Sequence, residues 1–312
     1  MRFEREQKVC QIGNLCLGGQ PGENPPLLIA SMFQKGDMII ESRSKHLFNR
    51  QLATERIREI EHLSQETGIP GMVALVANSI DEMKTYIDFF ISVTDMPFAI
   101  DVWVQKTRLA IARHIAQMGI QQKVLYNSIT PWDEDIKGQI LELKELGIKH
   151  VVVQVFDPSD KSAEGRIKSL RNLLPLVEEG GFESIIIDTA VMNLPASVFS
   201  LKANYLIKRD FGLPVGGAPS NGSYMWRKKA TEETRKWFPA VDAATHAIAA
   251  LASDFLFYGP TSGTSRIFPT VAVASSMLAA AAYEEDISFR DNHPISLLFP
   301  DEALQFKKEK EA

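Results

Sequence analysis

Eight short apolar runs, each followed by an amphipathic stretch, constrain this chain more than any other feature. They begin near Leu27, Met72, Phe98, Lys123, Val151, Ser184, Leu213 and Asp254. A strand with its helix and connections takes about 30 residues, so this spacing is that of successive β-α units. The runs 27–31, 72–77, 98–102, 123–127, 151–156, 184–188, 213–217 and 254–259 are nearly continuous in apolarity rather than alternating. Continuous apolarity marks strands covered on both faces, as in a parallel sheet. The intervening stretches read as helices. Over 53–67, Ile57, Ile60 and Leu63 share a face, and Gly68 and Pro70 stop the helix. Over 133–146, Ile136, Ile140 and Leu143 do the same, ahead of Gly147. Eight such units match a (β/α)8 TIM barrel, an α/β fold of about 250 residues. The competing fold, an open doubly wound sheet, wants a glycine-rich turn after its first strand, and Ser31-Met-Phe-Gln-Lys-Gly carries one glycine. Ahead of the barrel, 9–19 alternates and turns at Gly13-Asn14, the pattern of a short β-hairpin. The chain is therefore expected to be one domain over 1–312, with a hairpin and loop (1–26), a barrel (27–285) and a C-terminal extension (286–312).

Charge and composition narrow the function. Lys and Arg number 34 against 39 Asp and Glu, a net charge of −5, which disfavours nucleic acid as a partner. No stretch of about 18 uninterrupted apolar residues predicts a membrane span. The first residues are charged and lack the apolar core of a secretory leader, so a cytoplasmic location is expected, and the sequon Asn221-Gly-Ser carries no meaning there. Cys10 and Cys16 have no ligand-spaced partners and read as two buried thiols in a reducing compartment. The six histidines are scattered, with no H-E-x-x-H, so no intrinsic metal site is expected.

Polar residues collect at the ends of the apolar runs, where a barrel keeps its chemistry. Asn78, Asp101, Asn127, Asp188 and Asn221 each stand at or just after one, and Gln154 sits within the fifth run. On a closed barrel these side chains converge on one rim. A ring of carboxylates and carboxamides suits a flat, hydrogen-bonding heterocycle, because a carboxylate accepts two parallel N–H bonds and a carboxamide both donates and accepts. The bland alternative for each residue is a helix cap or an Asx turn. Two loops are glycine-rich. Residues 215–223 can bring backbone close to a ligand. Residues 259–266 lack the lysine of a phosphate-binding P-loop, which leaves an ordinary turn or a seat for an anionic tail on helix amides. The cluster Arg227, Lys228, Lys229, Arg235 and Lys236 reads as a solvated face, or as an attractor for a polyanionic tail or an acidic partner. Asp242 and His246, four apart, read as a surface pair.

These segments carry a resemblance. The opening stretch Gly18-Gly-Gln-Pro-Gly-Glu-Asn-Pro-Pro-Leu-Leu-Ile-Ala-Ser-Met-Phe-Gln-Lys-Gly-Asp, and later Thr67-Gly-Ile-Pro-Gly-Met, resemble the H subunit of tetrahydromethanopterin S-methyltransferase, and the similarity runs to about residue 290. Within that family the sequence looks most like stand-alone members of methylamine or betaine demethylation, such as the methylcorrinoid protein:tetrahydrofolate methyltransferase of the glycine betaine pathway. It is also similar to the wider group of pterin-binding barrels. That group's Leu-Cys-Leu-Asp-Ser resembles Phe98-Ala-Ile-Asp101-Val, its Ile-Asn-Ser resembles Tyr126-Asn127-Ser128, its Tyr-Ile-Asp-Pro resembles Ile186-Ile187-Asp188-Thr, and its Gly-Leu-Ser-Asn resembles Gly217-Ala-Pro-Ser-Asn221. The group's Asp-Leu-Asn on strand two is faced by Ala74-Leu-Val-Ala-Asn78, so that acidic contact is absent or moved.

The resemblance implies Asp101, Asn127, Asp188 and Asn221 as pterin contacts, with Asn221 near N5 of the ring. It implies a methyltransferase that moves a methyl group between a methylated corrinoid (cobalamin) on a separate protein and N5 of tetrahydrofolate, with tetrahydromethanopterin as the alternative carrier. It further implies a homodimer, and a cobalt held by the partner protein rather than by this chain. Two rivals remain at this level. A pteroate-forming condensation would want basic side chains at strand ends for a diphosphate, and Lys123 begins a run rather than ending one. A non-catalytic role within a larger complex is the other.

Overall fold

The computed structural model describes residues 2–311, with the side chains of 307–311 left aside. Eight parallel strands close into a barrel: β1 (Leu27–Met32), β2 (Gly71–Val76), β3 (Phe98–Asp101), β4 (Val124–Ile129), β5 (His150–Gln154), β6 (Ser184–Asp188), β7 (Val215–Gly217) and β8 (Phe255–Pro260). Each pairs with its successor in the chain, and β8 closes on β1 with Leu256 opposite Leu28. The expected (β/α)8 barrel is thus the fold observed. β7 begins two residues later than its apolar run because Pro214 has no N–H for the ladder.

The surrounding helices are α1 (Arg50–Thr67), α2 (Ile80–Val93), α3 (Gln105–Met118), α4 (Ile136–Glu145), α5 (Ala163–Glu179), α6 (Ser197–Phe211), α7 (Pro219–Lys229), α8 (Phe238–Ala250) and α9 (Thr264–Tyr283). Their ends follow local chemistry. Asn49 accepts the Leu52 N–H at 2.9 Å to start α1, and Gly68, at φ 72°, ends it in the left-handed region that a Cβ disfavours. Asp135 accepts the Gly138 N–H at 2.8 Å to start α4. Strand residues such as Leu28, Ala30, Val73 and Leu75 are buried under these helices, while their neighbours Leu27, Ile29, Met72 and Ala74 fill the barrel. Burial on both faces is why the runs do not alternate.

The expected hairpin is present, with Val9–Ile12 antiparallel to Leu15–Gly18 and the turn at Gly13. It plugs the barrel. Cys10, Ile12 and Leu17 join the interior cluster of Leu27, Ile29, Met72, Ala99, Leu125, Val152, Ile186 and Phe255. The Ser184 hydroxyl at the start of β6 donates to the Gln11 carbonyl at 3.3 Å, which fixes the hairpin at the end where strands begin. The opposite end, where strands finish, stays open. Cys10 is buried but Cys16 only partly so, since Cys16 lies on the strand edge turned away from the barrel interior.

Two further features differ from the sequence reading. By length and composition, the segment Thr261–Tyr283 is apolar enough to cross a membrane, although polar residues interrupt it. Over half of its most apolar window is buried, and Ile267, Phe268, Val271 and Ala272 pack into the core. Asp242 and His246 are not a surface pair. Both are fully buried, because α7 is inserted ahead of α8 and, with α9, covers that face. The Asp242 carboxylate accepts from Ser223 Oγ of α7 at 2.5 Å and from Arg266 Nε of α9 at 3.0 Å, and His246 Nδ1 lies 3.3 Å from it.

Candidate functional site

The strand ends meet in register. Asp101 closes β3 and faces Asn127 on β4, while Gln154 closes β5 and faces Asp188, which closes β6. Asn221 comes from the first turn of α7, which opens directly after β7 with Pro219 at its start. All five line one cavity of about 260 Å³ at the open mouth, together with Ser31 of β1 and Phe257 of β8. Asn78 stands apart. β2 ends at Val76, and Asn78 is exposed on the path to α2, its N–H donating to Glu82 at 2.7 Å. The structure thus brings together five of the six residues singled out by sequence.

The cavity holds two carboxylates, Asp188 buried and Asp101 half-buried. Asp188 is 5% exposed. Its Oδ1 accepts the Ala190 N–H at 2.8 Å, and Gln154 Nε2 reaches its Oδ2 at 3.4 Å. Burial pushes Asp188 up to about 6; the Ala190 N–H and the Arg166 charge oppose this, and the Asp101 charge adds to it. Burial likewise pushes Asp101 up to about 6 against the charge of Arg108. Neither carboxylate has an ion-pair partner within 4 Å among the described residues. Each carboxylate oxygen keeps room for a further donor, so the pair is poised to accept N–H groups from a ligand.

Two buried arginines that the sequence reading missed hold the loops. Arg108 of α3 donates to both Asp133 oxygens at 2.9 and 3.0 Å, to Tyr126 Oη at 3.1 Å and to the Val102 carbonyl at 2.8 Å. It ties the loop after β3 to the loop after β4. Arg166 of α5 donates to the carbonyls of Thr189, Ala190, Lys161 and Ser162, tying the loop after β6 to that after β5. A signal existed: Arg108 precedes Ile111, Ala112 and Ile115 at helical spacing, and Arg166 sits with Ala163, Ile167 and Leu170. An arginine on an apolar stripe in a first helical turn points at a strand-end loop.

Two tryptophans were also missed. Trp103 and Trp132 line the cavity's rim, 81% and 44% exposed, with ring centroids 6.4 Å apart and nearly parallel planes. Among the described residues no group of three or more His, Cys, Asp and Glu side chains could hold a metal ion.

Comparison with known proteins agrees with this architecture. A dihydropteroate synthase from Xanthomonas albilineans superposes with a TM-score of 0.61 over 88% of this chain and 99% of its own, at 14% identity. The same organism's enzyme in complex with 7,8-dihydropteroate gives 0.59 over 87% and 98%, at 13% identity. Likeness at this identity is one of fold. Sequence relatives are nearer. The H subunit of tetrahydromethanopterin S-methyltransferase from Methanopyrus kandleri is 32% identical, covering 94% of this chain and 98% of its own, and that from Methanosarcina mazei is 31% identical over 95% and 99%. These names correct the expected carrier: the matches carry tetrahydromethanopterin, not tetrahydrofolate. The misreading has a physical reason. The two carriers share a pterin ring and differ in the tail, and no tail-reading loop is legible in the sequence. The profile described as tetrahydromethanopterin S-methyltransferase MtrH subunit matches residues 5–289, and the chain belongs to that methyltransferase family.

Proposed function

We propose that this barrel binds the ring of a tetrahydromethanopterin-type reduced pterin and moves a methyl group between its N5 and a corrinoid on a partner protein. The observation that carries the reading is the meeting of Asp101, Asn127, Gln154, Asp188 and Asn221 in one cavity with two carboxylates pushed up to about 6. Asp188 accepts the N–H pair of the pyrimidine edge, as a planar carboxylate does best. Asn127 and Gln154, able to donate and accept, take the remaining ring heteroatoms.

When docked, the partner's corrinoid supplies or receives the methyl group. The barrel's task is geometry and a proton. Methyl transfer is a displacement, so the clamp must hold N5 in line, at about 3 Å from the methyl carbon. N5 gains a bond to carbon through its lone pair, and its N–H proton must then leave; in the reverse direction the proton must arrive before the N5–carbon bond breaks. Asp101, pushed up to about 6, can hold that proton in either direction. Asn221 directs its carboxamide at the charge that develops on N5. The exposed, paired rings of Trp103 and Trp132 suit a partner that covers the mouth, since large exposed apolar groups at a rim mark docking surfaces.

The test combines the protein with methylcobalamin and tetrahydromethanopterin, and follows methylated pterin by mass spectrometry and pterin binding by calorimetry. Binding with methyl movement is expected. No binding and no methyl movement would overturn the reading.

A further inference from the structure

Beside the ring cavity lies a larger one, of about 630 Å³, and the two share Ser31, Ser220 and Asn221. Its walls are the loop after β1, the first turns of α1, α7, and the turn after β8. Three cations line it from three elements: Lys35, Arg56 and Arg227. Lys35 and Arg227 have no carboxylate within ion-pair distance among the described residues. Arg227 instead lies over the rings of Phe238, at 4.6 Å, and Tyr224, at 5.8 Å. Arg56 shares its charge with Glu59 at 2.9 Å. Asp37 is the acidic side chain in the lining, and its oxygens already accept the N–H groups of Phe33 at 2.9 Å and Ile39 at 3.2 Å. The Oε1 of Gln34, also in the lining, is buried without a hydrogen-bond partner. A positive cavity thus opens off the ring site in a chain whose net charge is −5.

We infer that this second cavity is the seat of the substrate's anionic tail, its terminal carboxylate or phosphate meeting Lys35 and Arg227 while the ring sits on Asp101 and Asp188. The inference rests on the pterin reading above and extends it to the part of the ligand that distinguishes one reduced pterin from another. Geometry favours this assignment: the two cavities adjoin, with Ser31, Ser220 and Asn221 in the lining of both. Chemistry favours it as well. Cations without a carboxylate partner beside a partly enclosed space gain most from an anion, and a guanidinium held against aromatic rings is already localised for one.

Two ligands and one double variant test it by calorimetry: tetrahydromethanopterin, 6-methyltetrahydropterin, which has the ring without the tail, and Lys35→Ala/Arg227→Ala. Both replaced side chains are exposed, and a melting curve checks the fold of the variant. Wild type should bind the whole ligand more tightly than the tailless one, and added salt should narrow that gap. The double variant should lose roughly tenfold in affinity for the whole ligand and bind the tailless ligand as wild type does. Equal binding of the two ligands by wild type, or equal loss of both in the variant, overturns the tail site while leaving the ring site standing. Failure of wild type to bind either ligand removes the ring reading, and the tail site with it. A variant that binds both pterins normally but transfers methyl more slowly from a corrinoid protein also overturns the proposal, since the cations would then face the partner.

Discussion

Asp188 is the residue on which the ring reading turns. Its carboxyl is buried, anchored on one oxygen by the Ala190 N–H, and faced across the ladder by Gln154. Replacing it with alanine leaves the ligand's N–H groups without acceptors in a desolvated site, a loss of about 2–5 kcal/mol in binding. Asp188→Ala should therefore weaken tetrahydromethanopterin binding by more than tenfold in a calorimetric titration; wild-type affinity in that variant would move the pterin away from β6. Asp101, Asn127 and Asp188 were legible in sequence because each is a polar residue at the end of an apolar run, and a barrel points such residues at its mouth; Gln154 interrupts its run and Asn221 follows its run by four residues. Asn78 shows the limit of that rule: its strand stops at Val76, and two residues later the chain has already turned toward α2. Arg108, Arg166 and the two tryptophans were not read because their partners are backbone carbonyls or loop residues, whose positions only the closed barrel defines.

At the scale of elements, strand positions follow from apolarity alone, whereas packing between helices does not. The pair Asp242 and His246 has the spacing of an exposed salt bridge, and nothing local distinguishes it from one. Insertion of α7 between β7 and α8 changes its meaning. Burial alone would raise the Asp242 carboxyl, but His246, Ser223 and Arg266 hold it below the usual carboxylate range, so the charged form belongs to the folded state. This network joins α7, α8 and α9 behind the turn that presents Ser220 and Asn221 to both cavities. Asp242→Ala strips a buried partner from Arg266 and Ser223, at a cost of roughly 3 kcal/mol. The variant should melt at a clearly lower temperature than wild type and bind pterin more weakly. An unchanged melting temperature would mean that α7 is held by its apolar contacts and not by this carboxylate.

The whole molecule is a barrel with one closed end and one open end, and the open end stores an electrostatic cost. Burial pushes both Asp101 and Asp188 up to about 6 from the ordinary 3.8, and the Asp101 charge adds to the rise at Asp188. In the unliganded protein these raised values favour the protonated forms. Their contribution to stability is full below about pH 4 and is lost as pH rises through about 6. A ligand that donates N–H groups reverses this, because it binds the ionised forms. At pH 8 both carboxylates are already charged without an ion-pair partner among the described residues, so the ligand's donors remove an existing penalty. At pH 5 each must first give up a proton, which costs about tenfold in affinity per carboxylate. The thermal shift produced by tetrahydromethanopterin, measured by scanning fluorimetry at one ligand concentration, should therefore grow from pH 5 to pH 8 and level off above about pH 7. In Asp188→Asn, which keeps the shape but not the titration, the growth should shrink by the share of one carboxylate. A shift independent of pH in the wild type would mean that the ligand's donors meet something other than these two acids.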